Sequence, residues 1–244
     1  MRRVSVVAHR GASGACPENT AAAFREALRL GVDAIEFDVR LTADGHGILL
    51  HDATVDRTTN GKGVAADMTL PELQSLDAGS WFGPAFAGER LLSLSEALDL
   101  LPTGVRLNVH VKAYPSDRER IIPLVVRELI RRDRLRSAFL ASDQESLAMA
   151  RRVESGLAVC NLSTSPTDSY LRRSEAIGCL ILQPGNAMTT PELVAQAHAR
   201  GMEVNPFFAD NSAEMRRLIA CGVDGILTNE PARLQRLLQT LASG

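Results

Sequence analysis

Apolar and polar positions change their period many times along this chain. Short runs rich in β-branched residues alternate with stretches whose apolar residues recur every three to four positions. That alternation predicts strands separated by helices. The strand candidates are Val4–His9, Ala34–Val39, Gly47–His51, Arg106–Val111, Ala138–Ser142, Leu157–Leu162, Cys179–Gln183, Glu203–Phe207 and Gly225–Thr228. Helical periodicity covers Thr20–Leu30, Ser95–Leu101, Ser116–Arg132, Gln144–Val153, Ser169–Ala176, Pro191–Arg200, Ala213–Ala220 and Ala232–Leu241. Ser93, Ser116 and Ser142 each stand three residues before a Glu, the capping-box spacing that satisfies free N–H groups of a first helical turn. Thr190-Pro191 puts proline at a first helical position, and Gly31, Gly156, Gly201 and Gly222 follow helices where a left-handed cap is wanted.

Repeated βα units build a parallel sheet, and their number predicts an α/β fold, a closed (β/α)8 barrel of the TIM type. Two features depart from a plain barrel. There are nine strand candidates for eight places, and the link from Val39 to Gly47 is too short for a helical crossover. Either Gly47–His51 returns as a hairpin partner, or one late candidate lies outside the barrel. The segment of about 53–92 carries the tight-turn signal Asn60-Gly61-Lys62-Gly63, then Thr69-x-x-Glu72, then loop-like Gly79–Arg90. It reads as a small insertion over the barrel mouth, after the strand ending at His51. A length of 244 residues suits one such domain spanning 1–244.

A net charge of −2 gives no footprint for nucleic acid or an anionic membrane surface. The basic residues gathered in 118–136 are interrupted by acidic ones and read as a solvated helix face. Cys16, Cys160, Cys179 and Cys221 are widely spaced, without a CxxC, and suit free thiols in a reducing compartment. Met1-Arg2-Arg3 runs straight into Val4–Ala8, too short for a signal-peptide core or a membrane span. The expectation is a cytoplasmic protein without stable membrane insertion.

Polar residues at inward strand positions carry the chemistry. In Ala34–Val39, Ile35, Phe37 and Val39 share one face and Glu36 and Asp38 the other. Two carboxylates facing a barrel interior repel each other and lose solvation, so they need a cation. A hard divalent metal serves, and so would an exposed strand end or an Arg partner. The strand from Leu107 repeats the pattern, with Asn108, His110 and Lys112 on one face. His110 can complete a metal shell beside the carboxylates. Lys112 can offset charge on a phosphoryl oxygen or pair with Glu36 or Asp38. His9 and His51 end strands, where barrel enzymes place their catalytic groups, and imidazoles titrate near neutrality. Arg10 offers a fork for phosphate oxygens. Glu18 could orient a histidine, contact substrate, or simply favour a helix start. His46 and His198 read as surface residues without a role. No G-x-S-x-G, Walker A or strand–helix G-x-G-x-x-G occurs.

The ordered stretches Ala8-His9-Arg10-Gly11, Pro17-Glu18-Asn19-Thr20, Glu36 through Gly45, His51-Asp52, Val55 through Gly63, Leu73 through Gly79, Leu94 through Leu98 and Gly222 through Asn229 resemble the glycerophosphodiester phosphodiesterase family nearly end to end. The resemblance implies a barrel with an inserted subdomain and one divalent cation. It implies hydrolysis of glycerophosphodiesters, small molecules of lipid and glycerol metabolism, to an alcohol and glycerol 3-phosphate, with the glycerol 2-hydroxyl attacking first and water opening the cyclic product. It implies His9 and His51 as the acid–base pair and Arg10 and Lys112 as phosphate contacts. It implies Glu36 and Asp38 as metal ligands, with Glu18 at the substrate site.

Two positions depart from the family pattern. His110 stands where the family usually carries a further Glu ligand, so Mn or Zn joins Mg or Ca as a candidate ion. Asn205-Pro206-Phe207-Phe208 stands where a Trp is usual, and Phe207 or Phe208 becomes the apolar wall for glycerol. Alternatives are a lysophospholipid-cleaving or sphingomyelinase D-like enzyme, for which Trp81–Phe86 would form an apolar rim, and an inactive phosphodiester-binding homologue produced by His110. In the first case Trp81–Phe86 could equally be a small core for the insertion.

Overall fold

The structure is a computed structural model that describes residues 3–163 and 169–243; Met1 and Arg2 of the N-terminal run lie outside the described residues. The strands are β1 (Ser5–His9), β2 (Ala34–Leu41), β3 (Gly47–Leu49), β4 (Arg106–Val111), β5 (Ala138–Ser142), β6 (Ala158–Ser163), β7 (Ile181–Pro184), β8 (Glu203–Val204) and β9 (Gly225–Thr228). The helices are α1 (Ala21–Leu30), α2 (Leu70–Gln74), α3 (Leu94–Leu100), α4 (Arg118–Arg131), α5 (Gln144–Val153), α6 (Tyr170–Ile177), α7 (Pro191–His198), α8 (Ser212–Ala220) and α9 (Pro231–Ala242).

Eight strands run parallel in the order β8-β7-β6-β5-β4-β2-β1-β9. Asp224 N donating to Val204 O at 3.0 Å and Leu227 N donating to Pro206 O at 3.1 Å draw β9 against the β8 end of the series. The ninth strand, β3, pairs antiparallel with β2, Val39 facing Leu49. The hairpin reading therefore holds, with the strand ending at Leu49 rather than His51, and the barrel keeps eight places. On the β7 side Asn205 N and Phe207 N donate to Leu182 O and Pro184 O, so Pro206, which faces β9, leaves only that side without its donor.

Strand alternation sorts the core into two layers. Ile35, Phe37 and Val39 of β2 and Leu107, Val109 and Val111 of β4 join Phe24, Ile121 and Val125 of the helices in the main apolar cluster. Each such side chain contributes roughly 1.5–3 kcal/mol when fully buried. The opposite face fills the barrel with a smaller set, Phe139, Ala141, Cys160 and Ile181, with Val7, Ala34 and Leu227 in a second group. Above these fillers the inward positions turn polar.

Helix starts follow the expected chemistry with two corrections. Ser93 with Glu96 and Thr69 with Glu72 form capping boxes, and Thr190 caps α7 ahead of Pro191. The cap of α4 is Asp117 rather than Ser116, without a capping box. At α5 the cap is Asp143, accepting from the N–H groups of Glu145 and Ser146. Ser142 instead ends β5 and donates to Val111 O at 2.7 Å. With Ser142 spent on the strand, the next residue, Asp143, takes the cap through its Oδ1. Gly31, Gly201 and Gly222 are left-handed as expected; Gly156 is not, and Gly178 plays that part after α6.

The insertion has its own small core, in which Val55, Ala65, Leu73, Ala78 and Leu91 pack on Ile48 and Leu50. Trp81, Phe82 and Phe86 stand outside it as an edge-to-face trio, with Trp81 40% exposed. Cys16, Cys160, Cys179 and Cys221 are all free thiols. Among the described residues, no helix is long and apolar enough to cross a membrane.

Candidate active site

At the carboxyl ends of β1, β2 and β4 the inward side chains meet. Register places Glu36 beside both His9 and Asn108, and Asp38 beside His110. A cavity of about 380 Å³ opens there. His9, Arg10, Glu36, His51, His110 and Lys112 form its polar wall. Leu162, Phe207, Phe208 and Leu227, with Gln183, face them from the later strands. The volume suits a small molecule of a few polar groups.

Backbone geometry sets the polar wall. Arg10 adopts φ 56° and Gly11 φ 80°, turning the chain sharply out of β1. A Cβ on Gly11 would lie 2.7 Å from the Ala23 backbone, so only glycine lets α1 come so close. The turn aims Arg10 N at Glu36 Oε2, at 2.9 Å, and fixes that carboxylate. Asn19, also left-handed at φ 58°, holds Asp38 from both sides. Its Nδ2 donates to Asp38 Oδ2 at 3.1 Å and its Oδ1 accepts from Asp38 N at 3.2 Å.

Asp38 is fully buried, with two cations and an imidazole around it. Arg10 Nε lies 3.2 Å from Oδ2, and Lys112 Nζ and His110 Nδ1 lie 3.1 and 3.3 Å from Oδ1. Burial alone would raise its pKa, but His110, Lys112 and Arg10 outweigh burial and hold it well below the usual carboxylate range. Burial pushes His110 down, yet Asp38 and Glu36 reverse this and hold it above the ordinary imidazole value.

Each histidine at the mouth is anchored through Nδ1. His9 Nδ1 lies 2.8 Å from Asn229 Oδ1. Asn229 Nδ2 faces Asp210 Oδ2 at 2.6 Å, and a carboxylate only accepts, so the amide oxygen is the end turned to His9. His9 therefore carries its proton on Nδ1. His51 Nδ1 lies 2.7 Å from Asp52 Oδ1 and carries its proton for the same reason. When either ring is neutral, Nε2 is the acceptor left for chemistry. Burial lowers the His51 pKa, Asp38 and Asp52 oppose it, and Lys112 and Arg10 reinforce it; the net position is below the ordinary value.

All nine sequence candidates gather within this region, though not in one layer. Glu18 faces Arg10 and Arg57 rather than a histidine. Burial would raise its pKa, but Arg57 and Arg10 bring it below the usual range. Phe207 lines the cavity, while Phe208 stacks on His9 with ring centroids 5.3 Å apart. His46 is exposed beside Asp44, as expected, whereas His198 is half-buried against Asp224. The sequence reading missed the supporting residues Asn19, Asp52, Arg57, Asp210 and Asn229. Asn229 had a signal, a polar residue directly after the last strand; Arg57 had only its place in the family-like stretch Val55 through Gly63.

The residues present fit a cation. Ligand atoms of Glu36, Asp38 and His110 lie within 4.8 Å of one another, two hard oxygens and one imidazole nitrogen. Asp38 Oδ1 makes no well-formed hydrogen bond despite its close cationic neighbours, which leaves an acceptor turned toward the group.

Comparison with known proteins agrees with this geometry. Residues 9–233 match the model of the glycerophosphoryl diester phosphodiesterase family. A glycerophosphodiester phosphodiesterase of Caldanaerobacter subterraneus is 40% identical over 241 residues, covering 96% of this chain and 97% of the relative. One from Bacillus subtilis is 32% identical over 250 residues, covering 94% of this chain and 84% of the relative. Among solved structures, an Oleispira antarctica phosphodiesterase in complex with the product sn-glycerol-3-phosphate superposes with a TM-score of 0.92 at 28% identity, covering 96% of each chain. With this scaffold and these relatives, the protein is an enzyme of the phosphoric diester hydrolase class. More narrowly, the chain belongs to the glycerophosphoryl diester phosphodiesterase family.

Proposed function

We propose that this protein hydrolyses glycerophosphodiesters to an alcohol and glycerol 3-phosphate, using His9 and His51 for proton transfer and one divalent cation held by Glu36, Asp38 and His110. The observation that carries this reading is the shared cavity. Two Nδ1-anchored imidazoles, an Arg, a Lys and a cluster of potential ligands line or border one space of about 380 Å³. Arg10 and Lys112 sit where they can hold the phosphoryl oxygens and offset the charge gained in an in-line displacement. One histidine, neutral with Nε2 free, takes the proton of the attacking hydroxyl, and the other, protonated on both ring nitrogens, gives its Nε2 proton to the departing alkoxide. The Asn229 and Asp52 anchors hold the Nδ1 proton on both rings and leave Nε2 to gain or lose one. Phe207 and Phe208 supply an apolar surface for the carbon skeleton of glycerol. A bound cation would polarise a non-bridging oxygen and make the attacking hydroxyl more acidic.

The carboxylate pair suits Mg or Ca, and His110 shifts the preference toward Mn or Zn. The free thiols fit the reducing cytoplasm. Among the described residues, no part of Trp81–Phe86 lines the cavity, and the relatives are glycerophosphodiester phosphodiesterases, so the lysophospholipid or sphingomyelinase D-like alternative is the less favoured reading. The inactive-homologue alternative is disfavoured too, because His110 still offers a donor to the cluster. The test is phosphorus NMR of glycerophosphocholine incubated with the protein and Mg, Ca, Mn or Zn. Glycerol 3-phosphate is the expected product. Phosphocholine, a lasting cyclic phosphate, or unchanged substrate with every ion would reject the reading.

A further inference from the structure

Arg57 lies in the insertion and does not line the cavity, yet it makes four hydrogen bonds toward the site. Its Nη1 and Nη2 each donate to Glu18 at 2.8 Å, while Nε donates to Asp52 Oδ2 at 2.7 Å and Nη2 to Asp52 Oδ1 at 3.2 Å. Each of those carboxylates holds a working side chain. Glu18 Oε1 accepts from Arg10 Nη1 at 2.8 Å, and Asp52 Oδ1 lies 2.7 Å from His51 Nδ1. The chain of contacts therefore runs unbroken from Arg10 through Glu18, Arg57 and Asp52 to His51.

We propose that Arg57 is a positioning residue that fixes the phosphate-holding Arg10 and the proton-transferring His51 relative to each other by bridging Glu18 and Asp52. The proposal rests on the roles given to Arg10 and His51 above. Stability alone accounts poorly for the arrangement. The Arg57 side chain is 44% exposed, and exposed ion pairs contribute about 0–1 kcal/mol. What the guanidinium supplies is shape, because its planar fork spans two carboxylates at once and an ammonium cannot. Without Arg57, Asp52 can rotate away from His51 and Glu18 away from Arg10.

Arg57→Ala and Arg57→Lys are compared with wild type on glycerophosphocholine. Loss of a supporting hydrogen-bond partner of this kind costs about 10- to 100-fold, here as a lower kcat from the His51 arm and a higher KM from the Arg10 arm. Arg57→Lys should behave like Arg57→Ala, because charge without the fork does not bridge. Removing both Arg57 and Asp52, as Arg57→Ala with Asp52→Asn, should lower kcat little beyond Asp52→Asn alone, since they act in one chain. Imidazole nitrogen NMR gives a readout independent of turnover. The His51 ring signals should move in Arg57→Ala while those of His9, anchored by Asn229, stay in place. Wild-type kinetics in Arg57→Ala, a fully active Arg57→Lys, additive losses in the double variant, or unmoved His51 signals would each overturn the coupling. A wild type that turns over no glycerophosphodiester would sink the functional reading instead, and the imidazole spectra would still decide the coupling.

Discussion

The two walls of the cavity are built on opposite principles. The wall from β1, β2 and β4, with His51 from just after β3, carries nearly all the charge, and four of its groups are fixed by named partners: Glu36 by the Arg10 backbone, Asp38 by Asn19, His9 by Asn229 and His51 by Asp52. The facing wall offers Leu162 of β6, Leu227 of β9 and, after the end of β8, Phe207 and Phe208; Phe207 packs on the cluster of Val7, Ala34 and Leu227, and Phe208 stacks on His9. The difference separates tasks. A wall of oriented charges can stabilise a transition state because its dipoles are already in place. An apolar wall excludes water and orients a carbon skeleton, contributing to binding more than to the chemical step.

The largest expected effects come from breaking the charged wall. His9→Ala or His51→Ala should cost about 100- to 10,000-fold in turnover, with thermal unfolding little changed. Retention of a tenth of wild-type turnover by either variant would remove its assigned role. Lys112→Ala should follow with a loss on the order of 100- to 1,000-fold in kcat. Steady-state kinetics with KM little altered would show that it acts on developing charge rather than on substrate binding.

The contrast between the walls also explains what could be read from the sequence. Glu36, Asp38, His110 and Lys112 stood out because polar residues at alternate strand positions conflict with a buried interior, and that conflict is visible without a structure. Leu162 and Leu227 conflict with nothing, so they look like any core residue until the barrel closes around them. The extra strand candidate was resolved by pairing alone, as β3 on β2. The supporting partners were hardest to see. Arg57 reaches Glu18 across 39 positions and Asn229 reaches His9 across 220, and no local pattern records contacts of that range. The cap of α5 moved one residue, from Ser142 to Asp143, because both residue types make good caps and only the strand register chose between them.

Smaller effects sharpen the comparison. Phe208→Ala opens the apolar wall and should raise KM by roughly 10-fold, on the order of one lost apolar contact, while kcat changes little. A kcat loss as large as that of His51→Ala would mean the walls do not divide the work. The smallest effect is on stability. Glu18 is held below its ordinary value of 4.5 in the fold, so the unfolded chain takes up its proton first as pH falls. Its contribution is complete above that value and is lost as pH drops through the folded pKa. In urea unfolding, Glu18→Gln should therefore be less stable than wild type at neutral pH, and the gap should shrink in acid. A gap that does not change with pH would contradict the ion-pair account of Glu18.

The most direct test of the central claim links cation occupancy to turnover. Wild-type protein is stripped with chelator and titrated with Mn, while binding and glycerophosphodiester hydrolysis are followed in the same samples. The account predicts one site per chain, activity rising in step with its occupancy, and loss of both in Asp38→Asn. Full turnover in the stripped protein, or tight Mn binding that persists in Asp38→Asn, would contradict it.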